Sequence, residues 1–212
     1  MNRGAMIGFD RKVRCDWLDA VATRYAEGMT SAELRRFAHR MLGSVYPEEN
    51  ARAKTLTVIF HLWVNVPQEA VALRDAASRL LLSNPAGRHL ALHWGLGVAT
   101  YPFFHDLAES AGHLLASQDR VSLAELQRLL AERWGRGPTV TRAAQRIVHS
   151  WIDWGALRET DARGVHAGPR RVALSEELAA WMAEAVRVGR DASAPARYAL
   201  ASAALFPFDL PD

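Results

Sequence analysis

Two histidines four residues apart, His89 and His93, are the spacing in this chain that most resembles metal chemistry. On a helix, residues at i and i+4 share one face, which is how zinc-binding histidine pairs are presented. Position 90 is leucine where a metalloprotease helix needs its general-base glutamate, and no motif marks a third ligand. Two internally satisfied histidines are the expected reading. His105 with Asp106, and His113 near Glu109, can be drawn as acid–base pairs, but no serine or cysteine stands in a recognisable nucleophile motif. There is no glycine-rich phosphate loop and no carboxylate cluster. Cys15 is the single cysteine, so an intrachain disulfide and a cysteine-based zinc cluster are both excluded. No catalytic residue, metal site or cofactor is assigned on these patterns, and an enzyme is not expected.

The other chemistry that the residues offer is recognition of a polyanion. From Thr139 to Trp154, the apolar residues Val140, Ala144, Ile147, Trp151 and Trp154 recur at helical spacing and define one buried stripe. Thr141, Arg142, Gln145, Arg146 and His149 fall on or beside the opposite face. Arginine can pair bidentately with guanine and glutamine with adenine, while threonine can reach a phosphate or a thymine methyl. Gly155 follows, at the position that tolerates a left-handed backbone. Next come two short strands, Leu157–Thr160 and Arg171–Leu174, around an exposed loop at 161–169. Arg163, His166, Arg170 and Arg171 would decorate this wing.

Together with a first helix at 104–117 and a second opening at Val121–Leu126, the pattern reads as a winged helix. Residues 120–175 hold ten arginines against five acidic residues, an excess of five positive charges in a chain whose net charge is only +3. A basic module on a slightly acidic body is the footprint of a polyanion-binding protein, and duplex DNA is the expected partner. Three alternatives stay open: a protein–protein adaptor in a multi-subunit complex, a transcriptional regulator, and RNA binding by the preceding helices.

The elements that must hold this unit are helical. Apolar spacing predicts helices over 13–27, 32–42, 48–65, 67–82, 88–98 and 178–188, with a break at Ser83–Gly87. The fold class expected is mainly α: an N-terminal bundle over 1–98, a winged helix-turn-helix with a small β wing over 99–188, and a tail over 189–212 that packs on the body. Ala20 to Leu42, with Gly28 at the turn, is a second helix-turn-helix candidate. Its outer face would carry Arg35, Arg36, His39 and Arg40, a basic run that is either a second DNA surface or a solvated helix face. The seven tryptophans sit mostly in apolar helical positions and are expected in the core. The apolar stretches at 55–68 and 89–105 are too short or too interrupted to span a bilayer, and no secretory signal opens the chain. A single cysteine and no membrane segment fit a reducing cytoplasm.

The order of these pieces resembles the BrxA family of bacteriophage-exclusion (BREX) defence proteins. The likeness is carried by Ala51–Arg52–Ala53–Lys54–Thr55–Leu56 leading into a tryptophan-bearing helix, then by Trp134, Thr141–Arg142 and Trp154–Gly155–Ala156–Leu157. It covers roughly residues 10 to 180 and rests on order and spacing. The resemblance implies an antiviral, non-catalytic protein that binds double-stranded DNA in a bacterial cytoplasm, alongside a methyltransferase and other defence-system subunits.

Overall fold

The computed structural model describes residues 7–84, 89–190 and 199–211. It is mainly helical, with two small sheets. In chain order the helices are α1 (Cys15–Ala26), α2 (Ser31–Gly43), α3 (Glu49–Trp63), α4 (Val71–Ser83), α5 (Leu90–Thr100), α6 (Pro102–Ser117), α7 (Leu123–Trp134), α8 (Pro138–Trp154) and α9 (Glu176–Gly189). Each lies where the apolar spacing predicts one. Local chemistry fixes several ends. Thr30 and Glu33 cap α2 reciprocally, and Ser122 and Glu125 do the same for α7. Pro102 opens α6 two residues earlier than its apolar stripe suggests, because proline suits the first turn of a helix, where its missing N–H is not needed.

Helix α5 is buried on every side, which is why its eleven residues show no polar face. Its Trp94 is the hub. The indole meets the rings of Phe104, Trp151, Trp154, Phe206 and Phe208 at centroid distances of 5.0–6.5 Å, and its Nε1 donates to the Ala204 carbonyl at 2.8 Å. Residues from Phe9 to Phe208 share this one core, and the boundary expected at residue 98 falls inside α5. Phe206 and Phe208, near the end of the described chain, are buried in this core. Among the described residues no single helix is long and apolar enough to cross a membrane; α3 and the 68–83 stretch are bent by 54°.

The N-terminal segment is threaded into this core. Phe9 packs edge-on against Tyr101 and Trp154. The Val13 N–H donates to Ser150 Oγ, and the Val13 carbonyl accepts from Trp154 Nε1, both at 2.9 Å. Asp153 accepts from the first N–H of α1, at Cys15. The single acid of α8 thus caps another helix.

Strands β1 (Arg120–Ser122), β2 (Arg158–Glu159) and β3 (Val165–Ala167) form an antiparallel sheet in the order β1-β3-β2. Two strand expectations are corrected here. Residues 121 and 122, expected in a helix, belong to β1. The return strand of the hairpin is β3, whereas 172–173 forms β4 (Val172–Ala173) and pairs in parallel with β5 (Phe208–Asp209). The tail offers β4 a partner that residue spacing along the chain does not reveal.

Close approach of α6 to the 3-10 turn at Ala203–Leu205 depends on Gly112. A Cβ there would overlap the Ala203 carbonyl oxygen. Gly112→Ala is therefore expected to lower stability by about 1–3 kcal/mol. Gly43→Ala, with nothing near its Cβ and a helical backbone, should hold or slightly raise the melting temperature. Equal melting of both variants would refute this account of the contact.

Candidate nucleic-acid interface

Helix α8 is pinned along one side by Val140, Ala143, Ala144, Ile147, Val148, Trp151 and Trp154, all buried. Pro138 occupies its first turn, and Gly155 closes it in the left-handed region at φ 81°. The pinned stripe forces Thr141, Arg142, Gln145 and Arg146 outward, and all four are exposed. The Thr141 hydroxyl donates back to the Gly137 carbonyl. Among the described residues, the side chains of Arg142, Gln145 and Arg146 form no hydrogen bond or ion pair, so three extended polar groups point from the first half of α8 with nothing internal to hold.

His149, expected on this face, is half-buried at its edge. Burial lowers its pKa, and the nearby Lys12 and Arg146 charges push in the same direction. The β2–β3 hairpin turns at 160–164, where Gly164 adopts φ 74° and Arg163 stands exposed at the tip. His166 was expected on the exposed wing and is instead buried on β3, at 6% exposure. Its side chain shares the face of Val121, its register partner, which is wholly buried. Burial, followed by the neighbouring His149, lowers its pKa.

Arg170 and Arg171 are exposed but lie past the hairpin, on the way to β4. Arg171 comes within 3.7 Å of Asp209 on the tail strand. It also lines a cleft with Arg120 and Arg158, which sequence reasoning missed. Those two stand opposite Ala167 from either side, so the three side chains share the sheet face away from Val121 and His166. The strand alternation at 120–122 was the available signal, and three residues are too few to read it.

On α2, Arg35, Arg36 and Arg40 are exposed, and Gly28 makes the preceding turn at φ 92°. Two members of this run have internal engagements. The Arg35 guanidinium lies 5.0 Å from the centre of the Phe60 ring, and His39 Nε2 is 2.8 Å from Glu49. This surface is therefore less free than the α8 face.

Among the described residues, metal-ligating side chains converge at one place, under α1 and α5. Cys15, Asp19 and His93 bring ligand atoms within 4.8 Å of one another. His89 adds its Nδ1, 2.9 Å from Asp19 Oδ1. Proton bookkeeping decides against a cation. An indole N–H can only donate, and Trp63 Nε1 lies 3.0 Å from His93 Nδ1, so Nδ1 must be the accepting nitrogen. The ring proton of neutral His93 is then on Nε2, directed at Asp19 Oδ1 at 2.9 Å. A metal would need that same nitrogen's lone pair. The cluster is a hydrogen-bonded tie between helices, and the histidine pair is internally satisfied as its sequence context suggested.

Comparison with protein-family models, with curated proteins and with solved structures returned no match.

Proposed function

We propose that this protein binds duplex DNA without catalysing a reaction on it, by laying the first half of α8 in the major groove and the β2–β3 hairpin along the flanking backbone. The observation that carries this reading is the outward set of Arg142, Gln145 and Arg146, exposed and without partners among the described residues. Arginine and glutamine read purine edges, and the N-terminal part of a recognition helix is the part that reaches them. The order α6–β1–α7–α8–β2–β3, with its three-stranded sheet, supports a winged-helix reading. Arg163 at the hairpin tip supplies a phosphate contact. The resemblance to the BrxA family points the same way, towards a cytoplasmic phage-defence component that works with other subunits.

Charge reversal at Arg142 and Arg146 together is expected to abolish the shift of a labelled duplex in a gel. Both side chains are exposed, so circular dichroism should be unchanged. The wild-type affinity should fall steeply with salt, by about 0.9 in the log–log slope for each phosphate contact. Undiminished binding by the folded double variant would remove α8 from the interface.

A further inference from the structure

Arg146 belongs to two surfaces at once. On one side it continues the outward face of α8. On the other it borders a cleft of about 290 Å³ between the N-terminal segment and the start of α3, where Arg11, Lys12, Asn50 and Lys54 also line the wall. Four cationic side chains face this space, against the single carboxylate of Glu48. Residues 11–12, 50–54 and 146 are remote in sequence, and the fold gathers them.

The position of Lys12 is fixed by its neighbour. Val13 is wholly buried and held by backbone hydrogen bonds to Ser150 and Trp154 of α8, which leaves Lys12 exposed beside the helix. Its charge is close enough to depress the pKa of His149. Arg11 Nε is enclosed and makes no hydrogen bond, its nearest carboxylate being Asp10 at 4.0 Å. Helix α3 begins at the cleft without a side-chain cap, so its first N–H groups add to the positive potential there. Cations crowded into a concave wall repel one another, and a bound anion relieves that repulsion.

We infer that this cleft grips the phosphate backbone of the same duplex that α8 enters, with Lys12 and Lys54 as its accessible contacts and Arg146 as the bridge to the groove. The inference rests on the DNA-binding reading and extends it to a second, sequence-independent anchor. Lysines serve as point charges for phosphate and carry little base discrimination. The cleft should therefore contribute affinity and salt dependence without selecting sequence.

The full chain carrying Lys12→Gln and Lys54→Gln tests this, with binding to a labelled duplex measured between about 0.05 and 0.2 M salt. The log–log salt slope should shrink by about 1.8, and affinity near 0.1 M should fall about fiftyfold, equally on duplexes of different sequence. Both lysines are exposed, so thermal melting should not change. An unchanged slope in this variant, with binding still lost on reversal at Arg142 and Arg146, would overturn the cleft and leave the α8 interface standing. Unchanged binding in both variants would overturn both. A loss confined to one DNA sequence would also overturn the cleft, because it would place the lysines at base edges.

Discussion

Asp19→Ala is expected to destabilise the protein by about 2–5 kcal/mol, the cost of leaving two or three enclosed donors without an acceptor. Asp19 Oδ1 accepts from the His89 N–H at 3.2 Å, from His89 Nδ1 at 2.9 Å and from His93 Nε2 at 2.9 Å. Burial by itself would raise the pKa of this carboxyl. Hydrogen bonds from His93, and then from the His89 side chain and backbone, outweigh it and bring the value down to about 2. His93 is wholly buried and cannot turn to another acceptor, because Trp63 already holds its Nδ1. Asp19→Asn, which retains one carbonyl oxygen, should lose less than the alanine variant. Urea unfolding of the three proteins reads the effect directly. A loss below about 1 kcal/mol for Asp19→Ala would mean that water satisfies the stranded donors. The tie also has a functional reach. It fixes α1 against α5, and α1 is the helix whose first N–H is capped by Asp153 of α8. On the proposed DNA-binding reading, loosening it should let the segment bearing Lys12 drift from α8, and the weakened variant should then bind DNA with a smaller salt slope.

The sequence reveals what repeats along it and conceals what depends on distant partners. Helix α8 was legible because Val140, Ala144, Ile147, Trp151 and Trp154 repeat at 3.6-residue spacing, and the outward direction of Arg142 and Arg146 then follows from geometry. Strands of two or three residues offer no such period. Residues 121 and 122 stand directly before α7, and their pairing with β3 leaves no periodic trace in the sequence. The strand at 172–173 was found, but its partner lies 36 residues further on, at 208–209. His166 was misplaced for a related reason. Its neighbours Arg163, Gly164, Gly168 and Pro169 have the composition of a loop, whereas its burial comes from the central position of β3 and its closeness to His149. The spacing of His89 and His93 was visible, but the partners that decide their chemistry, Asp19 and Trp63, are 70 and 30 residues away. The basic cleft had no local sign at all. Its residues come from three elements, and only the burial of Val13 explains why Lys12 stands beside α8.

Acidification from about pH 6.5 to about pH 4 is expected to remove roughly 3 kcal/mol of stability through His105 alone. This residue is 1% exposed, and neither ring nitrogen makes a hydrogen bond of good geometry among the described residues. Burial lowers its pKa to about 4; the charges of Arg190 and Arg133 add to this, and the Val98 carbonyl only softens it. The folded-state value lies below that of an unfolded histidine, near 6.5. Between the two, the unfolded chain takes up a proton that the folded chain refuses, so each step down in pH favours unfolding. The stabilisation is fully present above about pH 6.5 and is lost as the pH falls towards 4. His61, His93, His149 and His166 are shifted in the same direction, each chiefly by burial, and steepen the decline. Asp19 continues it below the range of the histidines, between 3.8 and about 2. Denaturant titrations of the wild type and of His105→Leu at several pH values separate the contributions. Leucine neither titrates nor needs a partner, so the variant should show a shallower slope between pH 4 and 6.5 while remaining as stable as the wild type near neutrality. A slope equal to that of the wild type would show that His105 takes up its proton in the folded state, and would assign the acid sensitivity to the other histidines.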